Sequence, residues 1–231
     1  MTNYITLNNH FYQQIAPHFA KTRNSSWSGW ETWWQSVSSL LPDNPTVLDL
    51  ACGNLRLKKF LDKKLKTYSY LGVDSCLELL QLSNEDSRFF QHLDLLTPLA
   101  KNKSFVPEIK QPANDLICCF GFLHHLLDKK LQLSFLKETL KLLDDHGFLV
   151  LTFWQPLQDK NLAQRAKHLR DNNYLLDWRA GTTAVRYCHN FTPETIAQLL
   201  SELPVKVVLS YQADGSTHNL NHYLILQKLL D

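Results

Sequence analysis

The sequence predicts an α/β fold: a doubly wound sheet of seven strands, mostly parallel, with the last strand antiparallel. Three observations carry this. Five short apolar segments between residues 46 and 154 alternate with amphipathic helical stretches, an order that forces parallel strands with helices on both faces. Two more strand-like segments, 205–212 and 222–230, close the chain around the polar turn "ADGSTHN", as a hairpin would. Several early strands end in a carboxylate or a small residue, where open α/β sheets bind their ligands.

The elements follow in order. Residues 8–22 read as a helix, with Phe11, Ile15 and Phe19 recurring at every fourth position and Asn8 or Asn9 as its cap. The turn "RNSSWSG" leads to a second helix, "WETWWQSVSSLL", ended by Pro42 and Pro45. Trp30, Trp33, Trp34 and Val37 share one face of it, as core residues or, alternatively, as a platform for stacked bases. "TVLDLA" (46–51) is a buried strand, and "LRLKKFLDKKL" (55–65) a helix with Leu57, Phe60, Leu61 and Leu65 inward. Strand "YSYLGVD" (68–74), helix "LELLQLSNE" (77–85), strand "RFFQHLD" (88–94) and strand "DLICCFGF" (115–122) come next. "KKLQLSFLKETLKLLDDHG" (129–147) reads as a helix stopped by Gly147, before strand "FLVLTFW" (148–154). "DKNLAQRAKHLRD" (159–171) reads as helical, and "TPETIAQLLSEL" (192–203) as a capped helix. Residues 1–45 form an N-terminal helical lid and 46–231 the main domain.

Bulk properties narrow the function. A chain of 231 residues, 44% of them hydrophobic, suits one domain with a full core. A net charge of +2 gives no global case for nucleic acid or a membrane, so such a partner must meet a local patch. The odd set Cys52, Cys76, Cys118, Cys119 and Cys188 contains no CxxC pair and reads as reduced thiols in a cytoplasmic protein. The start is not that of a signal peptide, and no apolar run approaches the ~20 residues of a membrane span. Adjacent His124 and His125 rarely turn both rings to one ion, so no metal is expected.

Four positions form an ordered ligand constellation. The turn from Asp49 to Asn54 follows the first strand, and its small residues let backbone amides approach a ligand, with Gly53 at a backbone angle that other residues resist. Asp74 ends the second strand, where an acid binds both ribose hydroxyls of a nucleoside. Asp94 ends the third, placed to accept from an adenine amino group. "FGFLHH" (120–125) ends the fourth, beside the expected reaction centre. Without GxGxxG there is little to cradle a pyrophosphate, so a nucleoside cofactor is favoured over a dinucleotide.

The run "VLDLACGN", "YLGVD", "FFQHLD", "DLICCFGFLHHL", "LKETLKLLDDHGFLVLTFW" resembles the class I S-adenosylmethionine-dependent methyltransferases, with their Rossmann-like sheet, over nearly the whole chain. The flanks "YQQIAPHFAKTRNSSW" and "RYCHNFTPETI" resemble the branch that methylates 5-carboxymethyluridine at the tRNA wobble position, and its uncharacterised bacterial relatives. The resemblance implies that Asp49, Ala51, Cys52 and Gly53 flank the methionine end of S-adenosyl-L-methionine, that Asp74 holds the ribose, and that Asp94 and Leu95 hold the adenine. It puts Phe120 and Gly121 near the methyl sulfonium, Arg23 and Trp27 in the lid, and Arg186, Tyr187 and His189 near the substrate. Eukaryotic members of the branch work with a small activating protein partner.

The sequence departs from the family turn, GCGxG: Ala51 and Leu55 replace its outer glycines. A leucine forced to positive φ costs on the order of 1–3 kcal/mol, but position 55 is expected to open the next helix, where leucine is a good helix former. A carboxylate acceptor is already ionised at neutral pH and needs a cation rather than a base. Arg186 is the first candidate and Arg23 the second; His189 is a donor or base, or else structural. Lys160, Arg165, Lys167, His168 and Arg170 form a basic cluster that could track a tRNA backbone. The expected function is therefore methyl transfer to the carboxymethyl group of a tRNA wobble uridine. The alternatives are a small-metabolite methyltransferase and a noncatalytic methyltransferase-like binding module.

Overall fold

The fold is described from a computed structural model that covers residues 2–229; Leu230, where the last predicted strand ends, lies outside them. The chain opens with α1 (Thr2–Thr22) and α2 (Trp30–Val37). Strands and helices then alternate: β1 (Thr46–Leu50), α3 (Arg56–Leu61), β2 (Ser69–Asp74), α4 (Leu77–Gln81), β3 (Phe90–His92), α5 (Leu96–Ala100), β4 (Asn114–Cys119), α6 (Lys129–Lys141) and β5 (Leu143–Trp154). After β5 come α7 (Lys160–Arg165), β6 (Lys167–Arg170), β7 (Asn173–Trp178) and β8 (Ala184–His189). The chain ends with α8 (Pro193–Leu200), β9 (Val205–Ala213) and β10 (Asn221–Lys228).

The main sheet has the order β3-β2-β1-β4-β5-β10-β9. Strands β1 to β5 pair in parallel, and β10 runs antiparallel to both β5 and β9. Strand order reverses between β1 and β4, which opens a crevice beyond their carboxyl ends. Each face carries its own core. Leu48 and Leu50 of β1 pack on the side of α6 and α8, while Val47 packs on the side of α2 and α3. Trp30, Trp33, Trp34 and Val37 are all buried in that second core, so the tryptophans are core residues and not a base platform.

Four local readings are corrected. The first helix starts at Thr2, and Asn8 is a buried residue inside it rather than its cap. Asparagine's local preference for caps gives way here to partners far away in the chain. Gly147 lies within β5, and α6 already stops at Lys141. A β-carbon at Gly147 would stand 2.9 and 3.0 Å from the carbonyl oxygens of Asn114 and Asp115, where the β4–β5 register shifts. The glycine is thus required by close backbone approach, not by a helix end. Residues 159–171 are not one helix: α7 stops at Arg165 and β6 begins at Lys167. Finally, β6, β7 and β8 form a small antiparallel sheet: β6 replaces the end of the predicted helix 159–171, and β7 and β8 lie where no element is predicted.

α1 lies between this small sheet and α4. Phe11 and Ile15 pack with Ala184 of β8, while Ala16 and Ala20 pack with Cys76 and Leu79. One stripe of α1, Asn8, Tyr12 and Phe19, with Arg23 just beyond its end, faces the crevice. Among the described residues, no helix is long and apolar enough to cross a membrane.

Candidate active site

The turn after β1 is built on three left-handed residues in alternation: Ala51 (φ 59°), Gly53 (φ 56°) and Leu55 (φ 57°). Alanine and leucine therefore adopt the left-handed conformation that glycine takes most easily. Leu55 stands just before α3 in the left-handed conformation, so helix propensity is irrelevant to it and that expectation is corrected. Its side chain is fully buried in the cluster that holds Trp30 and Phe60, and it turns away from the crevice. Burial of a leucine, about 2 kcal/mol, offsets the left-handed cost of about 1–2 kcal/mol.

The two departures should then respond oppositely to glycine. Ala51→Gly is expected to stabilise by about 0.5–1 kcal/mol, because it removes only a steric cost. Leu55→Gly is expected to destabilise by about 2–3 kcal/mol, since emptying a leucine site costs about 2–5 kcal/mol and strain relief returns only part. Urea denaturation reads both signs; a Leu55→Gly protein more stable than its parent would disprove the burial argument.

Beyond the turn lies a cavity of about 780 Å³, within the roughly 300–1,000 Å³ of small-molecule sites. Ala51, Cys52, Gly53, Asp74, Asp94, Leu95, Phe120 and Gly121 all line it. A β-carbon at Gly53 would meet nothing within 4 Å, so the space over the turn is open to a ligand. The Asp74 carboxylate accepts the N–H groups of Gly53 and Cys76, each at 2.8 Å, and burial raises its pKa. Asp94 accepts from the N–H groups of Leu96 (2.8 Å) and Thr97 (3.1 Å) at the start of α5 and, on its other oxygen, from Thr97 Oγ1 (2.5 Å).

Asp49 is not on the cavity wall. It shares a sheet face with Val47, and there Tyr70 donates to its carboxylate at 2.7 Å. Burial pushes the Asp49 carboxyl up to about 7, against that hydrogen bond.

An aromatic wall closes the next side. Phe120 contacts the rings of Trp27, Trp30 and Trp33, and a β-carbon on Gly121 (φ 66°) would come within 3.2 Å of Trp27. Arg56 lies over Trp27, 5.4 Å from its centroid. The loop carrying Trp27 is fastened by Asp214, which accepts from Ser28 Oγ (2.9 Å), Gly29 N–H (3.0 Å), Asn221 Nδ2 (2.8 Å) and Tyr223 Oη (2.6 Å).

The remaining wall combines α1, β5 and the small sheet. Arg186 of β8 lies over Trp154 at 4.6 Å and Phe11 at 5.2 Å, and donates to Tyr12 Oη at 3.0 Å. Arg23 lies over Phe19 at 5.5 Å and Trp178 at 5.9 Å. Burial first, and then the Arg186 charge, lower the pKa of Arg23. Among the described residues neither guanidinium has an acidic partner within salt-bridge distance. His124 and His125 also line this end, buried and, through burial, neutral. Among the described residues no three His, Cys, Asp or Glu gather as a metal site would need.

Strand alternation separates the members of "RYCH". Arg186 faces the cavity, whereas Tyr187 and His189 point to the opposite face of β8 and do not line it. Tyr187 Oη donates to the Leu127 carbonyl (3.1 Å) or to Asn173 Oδ1 (2.6 Å), and His189 Nδ1 meets the same Asn173 oxygen at 2.8 Å. Burial drops the His189 pKa to about 4, and its place is in this structural network. The basic cluster is likewise divided. Arg165 pairs with Asp177 at 3.5 Å on the cavity wall, while Lys160, Lys167, His168 and Arg170 are exposed, split between α7 and the edge strand β6.

Sequence reading placed His125 in the "FGFLHH" stretch of the site and gave Asn8 only as a cap; it missed Tyr12, Arg56 and Asp214. The only available signals were a polar position on the apolar stripe of α1 and a D-G turn.

Comparison with known proteins agrees with this architecture. The family model described as "Methyltransferase domain" matches residues 20–209. A protein of Encephalitozoon cuniculi, named as an inferred methyltransferase, is 25% identical over 219 residues, 94% of this chain and 93% of that protein. The tRNA (carboxymethyluridine(34)-5-O)-methyltransferase of Arabidopsis thaliana is 25% identical over 148 residues, 64% of this chain but 32% of that longer protein. The crystal structure of an S-adenosylmethionine-dependent methyltransferase from Clostridium acetobutylicum superposes with a TM-score of 0.65 at 16% identity, over 94% of this chain and 98% of the other. The matched segment contains the glycine-poor turn, the strand-tip acids and Arg186: the chain belongs to the methyltransferase-domain family.

Proposed function

We propose that this protein transfers a methyl group from S-adenosylmethionine to a carboxylate, the carboxymethyl group of a tRNA wobble uridine. The observation that carries the acceptor chemistry is the pair Arg23 and Arg186, which line one cavity and, like Arg56 beside the turn, have no acidic partner within salt-bridge distance among the described residues. Such a pair is costly in an empty protein and is repaid by an anion. The RNA source of that anion is supported by the likeness to the Arabidopsis enzyme.

S-adenosylmethionine, when bound, supplies an electrophilic methyl on a positively charged sulfur. The chain's own residues do the rest. Asp74 would accept the ribose hydroxyls, Asp94 and Leu95 would hold the adenine, and Ala51, Cys52 and Gly53 would hold the methionine end. Phe120, Gly121 and Trp27 keep water from the reacting atoms. Arg186, with Arg23 beside it, orients the acceptor carboxylate; no general base is needed, because the nucleophile is already ionised. Residues 1–45 contribute the lid through α1 and the Trp27 loop.

A second reading, a small carboxylate as acceptor, is favoured by one observation: Arg165 is already paired with Asp177, which weakens the basic path for an RNA backbone. Both readings are tested by incubating the protein with isotope-labelled methyl donor, tRNA bearing 5-carboxymethyluridine and a mixture of small carboxylic acids, then analysing nucleosides and small products by mass. Label in a methyl ester of that nucleoside is expected. Label confined to small carboxylates would select the second reading, and label on a neutral base atom would sink both.

A further inference from the structure

We infer that the hydroxyl hydrogen of Tyr12 is directed into the cavity as a neutral donor beside Arg186, and that it binds the second oxygen of the acceptor carboxylate. The inference rests on the carboxylate reading above and deepens it.

The argument begins at a backbone whose hydrogen-bond roles are fixed. The N–H of Tyr187 donates to Asn8 Oδ1 at 2.8 Å, and the Tyr187 carbonyl accepts from Asn8 Nδ2 at 3.2 Å. A backbone N–H can only donate and a carbonyl only accept, so the Asn8 amide has one orientation. The same Nδ2 faces His125 Nδ1 at 2.9 Å, so that ring nitrogen must accept. A neutral His125 therefore carries its proton on Nε2 and donates it to Tyr12 Oη at 3.0 Å. Arg186 Nη1 donates to the same oxygen, also at 3.0 Å. Both lone pairs of the phenol are then filled, and its own hydrogen has no acceptor among the described residues.

Tyr12 lines the cavity, so that hydrogen has one direction left. Burial and then the Arg186 charge hold the His125 pKa at about 3, against the nearby Tyr187 backbone, so the ring is neutral across neutral pH. A second observation marks the same end of the cavity as a polar site awaiting a ligand. His124 is 3% exposed and lines the cavity, yet neither of its ring nitrogens has a hydrogen-bond partner among the described residues. Asn8 and His125 are positioning residues in this scheme, since they act through Tyr12. One carboxylate oxygen goes to the guanidinium and the other is held by the phenol, which leaves a lone pair exposed for attack.

Two measurements test the assignment. The first is the ¹⁵N spectrum of histidine-labelled wild-type protein, read at His125. An unprotonated Nδ1 and a protonated Nε2 are expected; a protonated Nδ1 would overturn the relay. The second compares wild type with Tyr12→Phe, which keeps the ring and its edge contacts with Phe11, Phe19 and His125. The probe is 5-carboxymethyluridine, titrated calorimetrically in the presence of S-adenosylhomocysteine, with the uncharged carboxamide nucleoside as control. Tyr12→Phe is expected to weaken the carboxylate about 10–100-fold, the range of a hydrogen bond to a charged group, and to leave the carboxamide and S-adenosylhomocysteine within about threefold. Equal carboxylate affinity in the two proteins would overturn the assignment. Wild type that binds neither nucleoside would sink the carboxylate reading itself, and the His125 spectrum would then decide the relay alone.

Discussion

Arg186→Ala is expected to lower kcat/KM for a carboxylate acceptor by about 10²–10³-fold while leaving S-adenosylhomocysteine affinity within about threefold. Truncating one partner of a desolvated charge pair costs about 2–5 kcal/mol, and the acceptor would lose its cation at the position where the attacking oxygen must be aimed. Arg186→Lys should recover only part of the loss. An ammonium cannot offer the planar fork of a guanidinium, and it would forfeit the stacking on Trp154 and Phe11. Arg23→Ala should cost less, about tenfold, because Arg23 holds no hydrogen bond toward Tyr12 and sits on Phe19 and Trp178 further along the wall.

Folding should not confuse the measurement. In the empty cavity Arg23 and Arg186 repel, so removing either charge relieves a cost that the anion normally offsets. Single-turnover methylation with labelled donor, paired with calorimetry of S-adenosylhomocysteine, separates the two halves of the site. An equal fall in cofactor affinity would place Arg186 with the cofactor and remove the argument for an anionic acceptor.

The cofactor half of the site was far more legible in the sequence than the acceptor half, for a physical reason. In a doubly wound sheet, the tips of successive strands converge on one crevice, so Ala51 and Gly53 after β1, Asp74 at the end of β2, Asp94 after β3 and Gly121 after β4 meet there. Strand period and chain order are enough to bring them together. Asp49 escaped this logic because it lies inside β1 rather than after it, and the two-residue alternation sends it to the core beside Val47.

The acceptor half depends on packing between distant segments that no local period encodes. Asn8, Tyr12, His125 and Arg186 span most of the chain and meet only because α1 lies across β8. His189 is expected near the substrate because it shares the family's "RYxH" stretch with Arg186, but the alternation of β8 sends the two side chains to opposite faces. Leu55 shows a third kind of limit. A leucine in place of glycine reads as damage, yet the left-handed residue also aims its side chain into a core that needs filling. Local strain and tertiary burial act on the same residue, and the sequence displays only the first.

Asp74→Ala is expected to cost about 10²–10⁴-fold in affinity for S-adenosylhomocysteine, the largest effect at the cofactor end. Two charge-assisted hydrogen bonds to ribose hydroxyls, at about 1.5–3 kcal/mol each, set the scale. The complication is that the same carboxylate already receives the N–H groups of Gly53 and Cys76, so its loss also loosens the turn over which the cofactor would lie. A cycle separates the two contributions. S-adenosylhomocysteine and its 2′-deoxy analogue are titrated against wild type and Asp74→Ala. Direct ribose binding requires the missing hydroxyl to weaken binding in wild type, by about tenfold or more, and to matter little in the variant. Should the deoxy analogue lose the same factor in both proteins, Asp74 would be a support for the turn alone, and the ribose would have to be held by another group on that wall. The raised pKa of Asp74 bears on the same point. Burial opposes its charge in the empty cavity, so hydroxyl donors arriving with the cofactor stabilise the ionised form and release protons. Cofactor affinity should therefore rise with pH through the titration of this carboxyl, and that pH dependence should vanish in Asp74→Ala.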